Sequence, residues 1–187
     1  MIKLKTILSE VYDINLLETG VEKFKIFCDL DGVLVGFDDA VKKLTGGLTF
    51  KEYVEKYGHS AMWQLINAKG SDWWANLTWS NDGKVLWEFI KPFNPTILTA
   101  GSKRNSGEIA VIGKKEWCGK NLGASIPVIV TDNSRDKQQY SKSNNILIDD
   151  LPSNINEWNA KGGIGVLHIN SNDTITKLKY IFNNASL

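Results

Sequence analysis

Five short apolar runs, each bounded by turn residues, constrain this chain more than any other feature. They are Lys23-Phe24-Lys25-Ile26-Phe27-Cys28, Pro95-Thr96-Ile97-Leu98-Thr99-Ala100-Gly101, Ile126-Pro127-Val128-Ile129-Val130-Thr131, Asn145-Ile146-Leu147-Ile148-Asp149-Asp150 and Gly165-Val166-Leu167-His168-Ile169. Each is nearly continuous in hydrophobicity, the pattern of strands buried on both faces of a parallel sheet. Between the second and third, Ser106 to Leu122 reads as a crossover helix stopped by Gly123, and Pro152 to Ala160 reads as another between the fourth and fifth. Strands alternating with helices predict an α/β fold, a doubly wound parallel sheet.

The interval from Phe37 to Phe93 breaks that alternation. Ala40-Val41-Leu44, Tyr53-Val54-Tyr57, Met62-Leu65-Ile66 and Val85-Leu86-Phe89-Ile90 supply apolar faces at helical spacing. Residues 37–91 are therefore expected to form a small helical cap inserted after the first strand, with 21–36 and 92–187 as the α/β core. The insertion carries Trp63, Trp73, Trp74, Trp79 and Trp87, and a small cap needs such residues for a core of its own. Residues 1–20 are expected to form an N-terminal amphipathic helix, because Ile2, Leu4, Ile7, Leu8 and Val11 recur among lysines without the apolar block of a signal peptide.

Composition excludes several classes. A net charge of +1 gives no field strong enough to demand a nucleic acid or a membrane surface as partner. Cys28 and Cys118 show neither zinc nor disulfide spacing, which fits reduced thiols and a cytoplasmic setting. His59 and His168 show no ligand spacing and read as structural or surface residues.

In open α/β sheets ligands bind beyond the carboxyl ends of the strands. Asp29 and Asp31 follow the first run, Thr99 closes the second, and Asp149 with Asp150 closes the fourth. Clustered carboxylates do not all stay ionised without a cation, and oxygen-only ligands favour a hard ion such as magnesium (Mg2+). Each feature alone has a plainer explanation: Asp-x-Asp-Gly can be a simple turn, and a terminal Asp-Asp can cap the next helix. Their concurrence, with a lysine shortly before the last pair, matches one division of labour.

These motifs resemble those of the haloacid dehalogenase-like phosphatase superfamily. The first motif stands here as Ile26-Phe27-Cys28-Asp29-Leu30-Asp31-Gly32-Val33-Leu34, the second as Ile97-Leu98-Thr99, the third as Lys137 in Ser134-Arg135-Asp136-Lys137, and the fourth as Ile146-Leu147-Ile148-Asp149-Asp150. Within that superfamily the chain is most similar to 5'(3')-deoxyribonucleotidases. Phe37 after the first motif, Arg135-Asp136-Lys137 before the last strand and the Leu147-Ile148-Asp149-Asp150 strand end carry the likeness, and Gly162-Gly163-Ile164-Gly165 is similar to phage-encoded relatives.

The resemblance implies a phosphoric monoester hydrolase for a small phosphate monoester, a (deoxy)nucleoside monophosphate above others. Asp29 would be the nucleophile and Asp31 the acid and base. Magnesium would be held by Asp29, Asp150 and the Asp31 main-chain carbonyl, with Asp149 the second candidate in its pair. Thr99, Ala100, Ser102 and Lys137 would bind phosphate, although Lys114, Lys115, Lys120 and Lys142 are alternatives for the lysine. Phe37, Trp63, Trp73 and Trp74 are candidates to hold a base. Trp73 and Trp74 are neighbours on one helix and cannot both face inward, so one ring is expected to lie exposed beside Phe37 and sandwich the base. A sugar phosphate, a nucleic-acid 3'-phosphate, or a non-catalytic binding role on the same fold stand as alternatives.

Overall fold

A computed structural model describes residues 23–101 and 107–184, so the expected N-terminal helix over 1–20 and Ser102 lie outside the described residues. The five apolar runs become β1 (Lys25–Cys28), β2 (Thr96–Ala100), β3 (Val128–Thr131), β4 (Asn145–Asp149) and β5 (Ile164–Leu167). All are parallel, in the order β3-β2-β1-β4-β5. The chain moves outward from β1 to β3, then crosses back to build β4 and β5 on the other side. The reversal falls between β1 and β4, the position where doubly wound sheets open a crevice at their carboxyl ends.

Alternation within each strand shows why helices cover both faces. Ile26, Cys28, Ile146 and Ile148 join one core cluster, with Trp117, Cys118, Leu178 and Phe182 from the helices α6 (Glu108–Asn121) and α8 (Ser171–Asn184). Phe27, Leu98 and Leu147 point the other way, against Ile155 and Trp158 of α7 (Pro152–Ala160).

Between β1 and β2 the chain forms α1 (Phe37–Thr45), α2 (Phe50–Tyr57), α3 (His59–Asn67), α4 (Gly70–Ala75) and α5 (Gly83–Ile90). Local chemistry sets these boundaries. Asp38 and Asp39 open α1 and Lys42 and Lys43 close it, which complements the helix dipole, and Gly46 ends it with φ 75°. Thr49 and Glu52 form a capping box at the start of α2. The two legs of the insertion meet at a neck, where Gly36 N donates to Thr78 O (3.0 Å) and Ser80 N to Leu34 O (2.8 Å).

The inserted helices do not keep a core of their own, as the sequence led one to expect. Val41, Met62, Trp63, Ile66 and Trp74 belong to the same cluster as Ile26 and Ile97 of the sheet. Gly113 on α6 makes this possible, since a Cβ there would stand 2.3 Å from Ser71 O and 2.4 Å from the Trp74 Cβ. Without a side chain at 113, α4 presses directly onto α6. Among the described residues no helix is long and apolar enough to cross a membrane.

Candidate active site

Strand register assembles the acidic groups. Cys28 pairs with Ile148 and with Ile97, so the next residue of each strand, Asp29 and Asp149, emerges side by side, with Thr99 one position farther along β2. Asp29, Asp149 and Asp150 bring carboxylate oxygens to within 4.8 Å of one another. A cavity of about 440 Å³ opens above them. It is lined by Asp29, Asp31, Thr99, Ala100, Lys137 and Asp150 on the sheet side, and by Phe37, Phe50, Trp63 and Trp74 on the insertion side. Its volume is that of a small-molecule site.

Lys137 lies within a 3-10 segment, Ser134–Tyr140, started by an Asn133/Asp136 capping box. Its ammonium sits 2.8 Å from Asp29 Oδ1 and 2.7 Å from Asp149 Oδ2, fully enclosed. Burial alone would push this lysine's pKa down, but the two carboxylates outweigh burial and raise it, so it stays charged. Asp149 lines no part of the cavity. Its oxygens accept from Lys137, from Leu151 N (2.9 Å) and from Asn154 Nδ2 (2.9 and 3.0 Å), leaving it to orient Lys137 and the start of α7.

Asp150 faces the cavity instead. Burial, then Asp29 and Asp149, push its pKa up to about 7. Gly32 leaves it the space it occupies: φ at 32 is +78°, and a Cβ there would fall 2.2 Å from Asp150 Oδ2. Three carboxylates around one lysine form a charge deficit that a divalent cation would relieve, and the all-oxygen donor set of Asp29 and Asp150 suits a hard ion such as magnesium.

This arrangement predicts a specific pH dependence. The folded, metal-free protein holds a proton on Asp150 up to about pH 7, whereas an unfolded aspartate releases it near ~3.9. The raised pKa thus contributes stability at low pH that is lost as pH rises through about 7. Melting temperature without metal should fall between pH 6 and 8. The gain on adding magnesium, which needs the ionised carboxylate, should be larger at pH 8 than at pH 6. A magnesium shift that is flat or shrinks with rising pH would count against this site.

Asp31 stands apart from the other carboxylates. Its Oδ2 lies 2.6 Å from Lys114 Nζ, while its buried Oδ1 has no hydrogen-bond partner among the described residues. Burial raises its pKa, Asp29 raises it further, and Lys114 opposes both. Lys114 thus enters the site beside Lys137. The two were weighed in the sequence as alternatives for one role, and the fold buries both. Periodicity hid this, since Lys114 is followed by the exposed Lys115 on the same helix. Asn154 and Phe50 also line the cavity without having been singled out, and neither carries a sequence signal beyond its residue type.

The aromatic expectations divide. Trp74 faces the cavity, whereas Trp73 turns to a separate hollow of about 260 Å³ beside Leu44 and Leu77. The expected exposed ring beside Phe37 is instead buried: Trp74 stacks on Phe37 at 5.6 Å and 16°. Rings in contact leave no room for a third between them, so this pair forms a wall and not a sandwich. The Nε1 atoms of Trp63 and Trp74 are buried with no hydrogen-bond partner among the described residues. His168 is buried with Nδ1 2.8 Å from Thr174 Oγ1, a structural residue, and His59 is an exposed surface residue beside the Phe50 and Trp63 rings. Cys28 and Cys118 are free and buried, and desolvation holds both thiols protonated, with Cys118 at about 12.

Neither a protein-family model nor a curated protein matches the chain. Among solved structures it is similar to a HAD hydrolase, family IA, variant 3, from Entamoeba histolytica HM-1:IMSS. The identity is 15% and the TM-score 0.45, over 84% of this chain and 99% of that one.

Proposed function

We propose that the protein is a magnesium-dependent phosphomonoesterase that acts through an aspartyl phosphate on Asp29, with (deoxy)nucleoside monophosphates as substrates. The observation that carries this reading is the pairing of two unlike carboxylates in one cavity. Lys137 sits 2.8 Å from Asp29 Oδ1, whereas Asp31, two residues on, is paired with Lys114 and has its pKa raised by burial. Two carboxylates with different lysine partners in one cavity suit the separate roles of nucleophile and acid–base group.

In the first step an Asp29 carboxylate oxygen attacks phosphorus and the ester P–O bond breaks. Asp31 gives its proton to the departing alkoxide oxygen. In the second, Asp31 takes a proton from water, whose oxygen attacks phosphorus and releases Asp29 and inorganic phosphate. Lys137, with two acceptors and three protons, keeps one donor for a phosphate oxygen. Thr99 and Ala100 line the cavity wall beside it. Magnesium, held by Asp29 and Asp150, would neutralise charge on the transferring group.

The nucleotide reading is supported by the insertion side of the cavity. Phe37, Phe50, Trp63 and Trp74 offer a flat ligand an apolar surface. A panel of deoxynucleoside, nucleoside and sugar monophosphates tests this. Wild-type protein should favour nucleotides by at least about tenfold in kcat/KM, in line with the stacking of a base on aromatic rings. Trp63→Leu keeps apolar bulk but removes an aromatic face, and should raise KM for nucleotides about tenfold while sparing p-nitrophenyl phosphate. Equal losses on all esters would assign the ring to packing, and a preference for sugar phosphates would replace the substrate class.

A further inference from the structure

Lys114 remains outside the scheme above, although it is among the most buried charges of the protein, 3% exposed. Its three ammonium protons meet three acceptors: Asp31 Oδ2 at 2.6 Å, Ala100 O at 2.5 Å and Thr99 Oγ1 at 3.2 Å. A lysine has three donors, so none is left for a substrate phosphate. The ammonium also lies 4.9 Å from the centre of the Trp74 ring, within cation–π range. Lys137 differs in having a donor to spare. The two lysines therefore serve different carboxylates: Lys137 the nucleophile, Lys114 the acid–base group.

We infer that Lys114 is a positioning residue that fixes the orientation of the Asp31 carboxyl group in the cavity. The ammonium holds Asp31 Oδ2 and is itself held by Thr99 Oγ1 and Ala100 O, so the carboxyl group is fixed at the cavity wall in one orientation. The anchor is rigid because Ala100 O belongs to β2 and Gly113 lets α6 approach α4 closely. Contact with Trp74, which stacks on Phe37, ties the acid–base group to the aromatic wall of the same cavity. Lys114 acts through Asp31 and need not touch substrate. This inference rests on the proposed phosphatase reading and deepens it.

The test is a leaving-group series. An alkyl phosphate, such as a nucleoside monophosphate, needs its departing oxygen protonated, whereas 2,4-dinitrophenyl phosphate releases a stable anion that does not. Lys114→Met retains the apolar stem under Trp74 and removes the three hydrogen bonds. It should lower kcat on the alkyl ester by about a hundredfold or more, the contribution of a positioned general acid. The pre-steady-state burst of dinitrophenolate should change by less than about threefold, the residue of a step that uses no acid. Asp31→Asn should show the same split.

The paired variant Asp31→Asn with Lys114→Met leaves no unpaired buried charge, and guards against a single variant that does not fold. It should lose no more than Asp31→Asn alone, as expected of residues that act as one unit. Equal loss of burst and alkyl turnover in Lys114→Met, or a further loss in the paired variant, overturns the positioning role and makes Lys114 a phosphate ligand or a packing residue. Absence of wild-type turnover on every ester overturns this inference together with the reading beneath it.

Discussion

Asp29→Asn is expected to abolish magnesium-dependent release of phosphate from p-nitrophenyl phosphate, by at least about a thousandfold, because it removes the attacking oxygen of the proposed mechanism. Several neighbouring groups are engaged elsewhere. Asp149 is enclosed by four hydrogen bonds, Asp31 is held by Lys114, and both thiols are buried and protonated. The substitution should leave the fold intact. Asparagine keeps the shape that accepts Leu30 N at 2.8 Å, and it removes one negative charge from a cluster with a charge deficit. Lys137 retains Asp149 as its partner. Phosphate release at close to the wild-type rate, by a variant with an unchanged melting temperature, would remove Asp29 from the role.

Lys137→Met should be the most damaging change to stability. Asp29 and Asp149 are both buried, and both place an oxygen within 2.8 Å of the same ammonium. Without it, two carboxylates face each other in a dry site, and breaking a buried pair in this way costs about 3–5 kcal/mol. Denaturant unfolding measures the loss. Because the damage comes from uncompensated charge, it should shrink at acid pH, where the carboxylates take up protons. Adding Asp149→Asn to Lys137→Met should recover part of it at neutral pH. A cost below about 1 kcal/mol would place Lys137 with ordinary surface pairs and contradict its geometry.

Much of the fold was written in local pattern. Continuous apolar runs marked the five strands, and glycines or prolines marked their limits, because those residues act on the backbone without help from distant neighbours. Asp29 and Asp31 could be placed for the same reason: a strand that stops at Asp-x-Asp-Gly sets two carboxylates at its end within a few residues. Side-chain direction was another matter. Trp73 and Trp74 are adjacent and alike, yet one lines the cavity and the other faces away, as helix geometry demands and as sequence alone cannot rank. The sandwich expected around a base failed because Phe37 and Trp74 satisfy each other.

The acidic strand ends, the helical insertion and the lysine before β4 were thus determined by the sequence itself, through spacing and residue type. Only the tertiary structure decided which lysine serves which carboxylate. Lys114 and Asp31 are separated by 83 positions. They meet because β1 and β2 pair in one register and Gly113 lets α4 close on α6. The same closeness divides the two terminal aspartates, sealing Asp149 against Lys137 and leaving Asp150 open to the cavity. Such choices depend on burial and on contacts between distant segments, and no local pattern carries them.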